Sequence, residues 1–341
     1  MGNSDETTKD EEDSSEDEEM LIDEQLLRRK RLSMPLLYQM NLNKNKKVRG
    51  TVIGPSDENF NPLIASEKLR QALNGLDTNE QAIIEVAVGH NNFQRQQIVS
   101  TCEYLHSKVI MDDLKDELGG FVLDTILSLF IPTHFYLANL LHQSLCKEKS
   151  NYAIAVEIGC TRTATQMKAI KNAYRISFST TLERDVVVKV EGVFGAMLQL
   201  LLCSLRDEEY SESKMLIEKH VDIIIKESNG MDEMSHNVKL FEKIFIGHSW
   251  QHIAAVMDKL DAKHGGNEHF IKMQIAHNEN ISSDIKNMLL TIVKISRNTQ
   301  WYFAEKLHNA VSSSKPDHEA IIRILVSRSE VASFRAESRF I

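Results

Sequence analysis

Residues Ala82-Ile-Ile-Glu-Val-Ala-Val-Gly-His-Asn-Asn92 form an apolar run closed by a small and polar tetrad. Ile83, Ile84, Val86, Ala87 and Val88 make the buried part of a helix. Ahead of them, Thr78-Asn-Glu-Gln81 has the capping-box pattern that opens a helix. Further upstream, Ser66-Glu-Lys-Leu-Arg-Gln-Ala-Leu73 sets Leu69, Ala72 and Leu73 on one helical face, and Gly75 then breaks that helix. The whole is a helix, a tight loop and a second helix.

This unit returns three times: Ala153-Ile-Ala-Val-Glu-Ile-Gly-Cys-Thr-Arg-Thr163, Leu240-Phe-Glu-Lys-Ile-Phe-Ile-Gly-His-Ser-Trp250 and Ala320-Ile-Ile-Arg-Ile-Leu-Val-Ser-Arg-Ser-Glu330. The four starts lie 71, 87 and 80 residues apart. Each copy follows a short helix ending near an apolar residue: Leu73, Leu145, Ile225 and Val311. Four copies of one helix pair imply helical bundles stacked through shared interfaces.

Composition points the same way. With 5 Pro and 14 Gly in 341 residues, and abundant Leu, Ile, Lys, Glu and Met, helix is favoured over strand. Cys102, Cys146, Cys160 and Cys203 form no CxxC pair and fit neither a zinc ribbon nor a disulfide framework, so they read as reduced thiols of a cytoplasmic protein. The apolar stretches 121–131 and 196–205 are too short to span a bilayer and read as buried helices. The Met-Gly start lacks the Ser or Thr that myristoylation needs at position 6, where Glu6 stands.

Residues 1–24 hold twelve Asp and Glu against one Lys, and residues 25–50 hold eight Lys and Arg with no acid. Residues 1–60 are therefore expected to be a disordered tail, acidic then basic. Ser14 and Ser15 precede Glu16-Asp-Glu-Glu19, which suits an acidophilic kinase. Ser33 follows Arg28-Arg-Lys-Arg-Leu32, which suits a basophilic one, and phosphate there would offset the basic patch.

From about residue 61 onward the chain resembles the annexin family. Leu69-Arg-Gln-Ala-Leu-Asn-Gly-Leu-Asp-Thr-Asn-Glu80 is similar to that family's loop between its first two helices. Asn92-Phe-Gln-Arg-Gln-Gln-Ile98 resembles its third-helix entry, and Asp112-Asp-Leu-Lys-Asp-Glu-Leu-Gly-Gly120 its loop after the fourth helix. Pro132 and Tyr136 fall where the family places Pro and Tyr. The resemblance implies an all-α array of five-helix repeats in a curved disc. It divides the chain into repeats at 61–145, 146–208 and 209–308, with an incomplete fourth repeat at 309–341. The first two helices of that repeat would then lack packing partners, leaving a face for a protein partner.

The resemblance also implies calcium-dependent binding to anionic phospholipid, with no catalytic residues to transfer and an address in the cytoplasm, peripheral to membranes. Calcium takes six to eight oxygens. The family supplies backbone carbonyls from a Gly-x-Gly-Thr loop and a carboxylate some forty residues on. In repeat 1 these positions are Leu73, Gly75 and Asp77 for the carbonyls and Glu117 for the carboxylate. Asp77 replaces the second glycine, so two readings stand side by side: a weakened calcium site, or a capped loop without metal. In repeat 2 both glycines are gone and Lys189 takes the carboxylate position, where an ammonium repels a cation. Lys147, Lys149 and Lys189 are candidates for direct contact with anionic lipid; three solvated lysines are the bland alternative. Repeat 3 has Met234-Ser-His-Asn237 in place of the loop and no assignable acidic ligand, and repeat 4 has Ser312-Ser-Ser-Lys-Pro-Asp317, in which Pro316 suits a helix start.

His248 and His252 stand four apart without a third ligand in view and read as surface or capping residues. Trp250 and Trp301 read as core or interface aromatics. No P-loop, Rossmann fingerprint or nucleophile elbow occurs, and the acidic body disfavours nucleic acid. The leading expectation is a peripheral membrane-binding protein with weak or residual calcium binding. The alternative is a calcium-independent scaffold with a phospho-regulated tail.

Overall fold

The computed structural model describes residues 52–74, 78–147, 150–204, 206, 213–227, 232–264 and 270–330. Those residues form α-helices and no strand. The first unit is α1 (Pro62–Leu73), α2 (Glu80–Gly89), α3 (Asn92–His106), α4 (Ile110–Glu117) and α5 (Gly120–Phe130). The second repeats it as α6 (Thr133–Cys146), α7 (Tyr152–Thr161), α8 (Ala164–Phe178), α9 (Leu182–Lys189) and α10 (Gly192–Cys203). The third holds α11 (Lys214–Glu227), a short extra helix α12 (Asp232–His236), α13 (Val238–Phe245), α14 (Trp250–Lys263), α15 (Phe270–His277) and α16 (Ser283–Arg297). A final pair, α17 (Thr299–Ser312) and α18 (His318–Arg328), follows. Among the described residues no helix is long and apolar enough to cross a membrane.

Units one and two superpose along the chain at an offset of 72 residues. Asn91 and Thr163 both cap a third helix through a full capping box with Gln94 and Gln166. Ser107 and Ser179 both end that helix in the left-handed region, at φ 52° and 55°, and Gly120 and Gly192 both enter the fifth helix at positive φ. The polar tetrad that closes each second helix is thus the cap of the next one; Ser249 does the same for α14. The offset sets the head of unit two at α6, ahead of the boundary expected at residue 146, because the sequence pattern marked the second helix of each pair more strongly than the first. Units three and four are headed by α11 and α17; the boundary expected at 209 lies outside the described residues, and the one expected at 309 falls within α17.

Residues 52–60, assigned above to the tail, lie on the body. Asn91 Nδ2 donates to Ile53 O at 3.0 Å, Gln94 Nε2 to Pro55 O at 2.8 Å, and Val52 N to Ser329 O at 3.0 Å. Gly54 passes so close to Gln94 that a Cβ would collide with its amide oxygen. Composition carries no sign of these bonds, which join residues far apart in sequence. The expectation of disorder for the preceding residues, and Ser14, Ser15 and Ser33, lie outside the described residues.

Two apolar cores result. One runs from Leu137 to Ile324 through units two and three; the other fills unit one and takes in Val326. Helix α18 therefore feeds both. Its Arg323 pairs with the buried Glu157 of α7, which also accepts from Tyr302 Oη at 3.2 Å and Lys306 Nζ at 3.3 Å. Just beyond α18, Glu330 accepts from Arg95 Nη2 at 2.7 Å and from Asn92 N at 2.6 Å, all buried. The last helix pair thus has packing partners, contrary to expectation, in all three preceding units. Helix α5 is buried on one side only: Ile126, Leu129 and Phe130 are internal, whereas Phe121 is exposed and stacks on His318 at 3.8 Å.

Candidate functional site

In unit one, the loop after α1 and the end of α4 meet. Thr78 Oγ1 donates to Glu117 Oε2 in a short hydrogen bond across 39 residues of chain. Thr78 was expected to cap α2; Asn79 does so instead, accepting from Ala82 N at 3.0 Å. With the capping role filled by its neighbour, the Thr78 hydroxyl is free to reach the second loop. Glu117 is exposed, at the last residue of α4. Beneath the two loops, the buried Arg70 of α1 forms an ion pair with Asp113 of α4. That pair fixes the two helices against each other, so both loops are presented by a rigid support. Leu73 is the last residue of α1, its side chain in the core. Backbone bonds Asn74 N to Arg70 O (3.1 Å) and Asn79 N to Ala72 O (3.0 Å) close the loop from both sides. Gly75 and Asp77 lie outside the described residues. Among the described residues the Thr78 hydroxyl and the exposed Glu117 carboxylate bring oxygens together where the two loops meet, a donor type that fits a hard cation such as calcium.

Unit two presents different chemistry at the same place. Lys189 ends α9 and is exposed, as is Lys147 directly after α6; Lys149 lies outside the described residues. Beside Lys189, Val187 and Val188 are 58% and 62% exposed. Ser150 Oγ donates to Leu145 O (3.3 Å) and Lys147 O (3.0 Å), folding the loop back on the helix end. Two cations in place of a carboxylate do not fit a calcium ion. Burial raises the pKa of the Cys146 thiol, and Asp185 adds to the rise, while Tyr174 and the Lys189 ammonium oppose it.

In unit three the segment taken for a loop is helical. Residues 232–236 form α12, opened by Asp232 and Glu233, which suit a helix N-terminus, and tightened by Ser235 Oγ donating to Asp232 O at 2.6 Å. Asn278 Nδ2, after α15, donates to Asp232 Oδ1 at 3.1 Å. A direct hydrogen bond ties the two loops here. In unit four, Asp317 caps α18 through Ala320 N at 3.0 Å, so Pro316 precedes the helix rather than starting it.

Two other expectations change. His252 is buried, not superficial, and His220 supplies a third ring: its Nδ1 lies 3.0 Å from His252 Nε2, with the His248 centroid within 5 Å of both. Trp301 is 55% exposed, whereas Trp250 is partly buried under the Arg206 guanidinium at 3.7 Å.

The Thr78 hydroxyl, which bonds Glu117, and the Arg70–Asp113 pair carry no such role in the sequence pattern. The internal offset of 72 residues was the available signal, because Arg70 and Asp113 align with His142 and Asp185 in unit two.

Known proteins are similar to this chain in sequence and fold. The family model described as Annexin matches residues 64–129 and 136–201, the first two units. Annexin A5 of Gallus gallus is 30% identical over 289 residues, covering 84% of this chain and 86% of that protein. Annexin A5 of Homo sapiens is 30% identical over 296 residues, covering 86% and 89%. The solved structure of annexin III superposes with a TM-score of 0.75 at 29% identity, covering 83% of this chain and 85% of the other.

Proposed function

The chain belongs to the annexin family, whose members bind calcium and, through it, phospholipid, and from that premise we propose a peripheral binder of anionic membranes with one residual calcium site, in unit one. Leu73, Gly75 and Asp77 would supply carbonyl oxygens and Glu117 the carboxylate. Calcium bound there neutralises Glu117 and offers open coordination positions to a lipid phosphate. The observation behind this reading is the meeting of Thr78 and Glu117 over the Arg70–Asp113 support, which sets an exposed carboxylate at the loop mouth.

Unit two works without the metal. Lys147, Lys149 and Lys189 would contact anionic headgroups directly, at roughly 1 kcal/mol per cation near the surface. Exposed Val187 and Val188 add apolar area beside Lys189. One weak calcium site gives none of the multiplicative gain of several, so binding rises shallowly with calcium. The address that follows is cytoplasmic, peripheral to membranes.

Sedimentation with phosphatidylserine vesicles tests both halves. In chelator, part of the binding persists and falls severalfold when the three lysines become glutamine. Millimolar calcium adds a further increment that Glu117→Gln abolishes while leaving the melting temperature unchanged. A steep, cooperative calcium curve, or an increment that survives Glu117→Gln, rules out the single-site assignment.

A further inference from the structure

The repeat offset uncovers a change of chemistry under the second unit's loop. In unit one, Arg70, Asn74 and Asp113 occupy three positions around the helix ends, and the Arg70 guanidinium neutralises the Asp113 carboxylate. The same three positions, 72 residues on, hold His142, Cys146 and Asp185. The carboxylate is kept, while an imidazole and a thiol replace the cation and the amide. Asp185 makes no ion pair among the described residues. One ligand atom from each of the three side chains lies within 4.8 Å of the other two, and all three residues are half-buried.

We propose that His142, Cys146 and Asp185 form a binding site for a divalent cation of the zinc class, distinct from the family's calcium chemistry. Thiolate, imidazole and carboxylate together select a borderline-soft ion and not calcium or magnesium, which take oxygen alone. His142 and Cys146 stand one turn apart on α6 and so share a face. The His142 ring is stacked on Phe178 at 3.8 Å, which fixes its plane. Asp185 accepts from Tyr174 Oη at 2.7 Å and from Thr180 Oγ1 at 3.1 Å, and the Tyr174 hydroxyl also lies 3.1 Å from His142 Nδ1. These partners orient the ligands as outer groups do in metal centres.

Bond lengths of about 2.0–2.3 Å place tetrahedral ligand atoms about 3.5 Å apart. The cluster closes by about 1 Å on that scale, a side-chain movement available to Cys146 at the open end of α6. On binding, the thiol proton passes to solvent and a sulfur–metal bond forms, with no change of oxidation state. Thiolate and carboxylate then balance the dication, so the site is as neutral overall as the Arg70–Asp113 pair it replaces. Three protein ligands leave a fourth position for water or an external ligand.

Cobalt(II) replaces zinc and reports its ligands. The full-length, reduced, metal-free chain titrated with cobalt should develop a sulfur-to-cobalt charge-transfer band in the near ultraviolet. The band saturates near one equivalent, is erased by zinc, and is indifferent to millimolar calcium. Cys146→Ser removes the band, and Asp185→Asn or His142→Ala weakens binding at least tenfold. Cys203→Ser and His248→Ala leave it unchanged, the latter excluding the histidine cluster as its source. Absence of the band in the parent chain, or its survival in Cys146→Ser, overturns the proposal. Neither result depends on a variant's stability or touches the calcium reading.

Discussion

His220, His248 and His252 place three titratable rings together, two of them buried. Burial, then the neighbouring His248, His252, Lys243 and Lys219, bring the His220 pKa down to about 4; burial and His248 lower His252 as well. Both rings are neutral in the fold. The unfolded chain takes up these protons near the ordinary value of about 6.5, and the folded chain resists until about 4 for His220. The unfolded state therefore binds more protons across that window, and stability falls as pH drops through it. Urea unfolding at pH 7 and pH 4.5 should differ by an amount to which His220 contributes on the order of 2 kcal/mol. His220→Gln should flatten the dependence; an unchanged slope contradicts the assignment. At this same scale lies the contrast between Glu117 and Lys189, one position in two repeats with opposite charge.

The helical elements were legible because each signal is local. The runs 82–88, 153–158, 240–246 and 320–326 are apolar, and a polar cap follows the first three. Local signals fail where one residue has two possible partners. Thr78 matches a capping box, yet its hydroxyl serves Glu117, 39 residues away, and Asn79 takes the cap. They fail likewise at α12, whose short polar run reads as a loop, and at residues 52–55, whose order comes from amide donors on α3. Of the candidate site, Glu117 stood out through the family resemblance, while its Arg70–Asp113 support needed the fold, because an ion pair between residues 43 positions apart leaves no local trace. The elements also contain a correctable strain. Ser107 and Ser179 end α3 and α8 in the left-handed region, where a Cβ costs about 1 kcal/mol. Ser107→Gly and Ser179→Gly should each raise stability by up to that amount in denaturant titrations. A loss in either variant would mean that the serine side chain contributes more than its backbone strain removes.

Across the whole molecule, α18 is the piece that joins the parts. Ile324 sits in the core of units two and three, Val326 in that of unit one, Arg323 meets Glu157, and Glu330 meets Arg95. Arg95 and Glu330 are both desolvated: burial lowers the arginine pKa and raises that of the glutamate, and their mutual attraction opposes both shifts. Removing one member strands the other, at a typical cost of about 3–5 kcal/mol. Glu330→Ala should therefore destabilise unit one strongly, and the double change Arg95→Met with Glu330→Leu should recover most of the loss. A double variant no more stable than Glu330→Ala would show that shape rather than charge makes the contact. The pair spans 235 residues of chain. At about 5–20 residues per second of synthesis, unit one emerges tens of seconds before the carboxylate that meets Arg95 exists. During translation the first unit thus holds a buried cation without its counter-charge, and its final locking awaits a residue made 235 positions later.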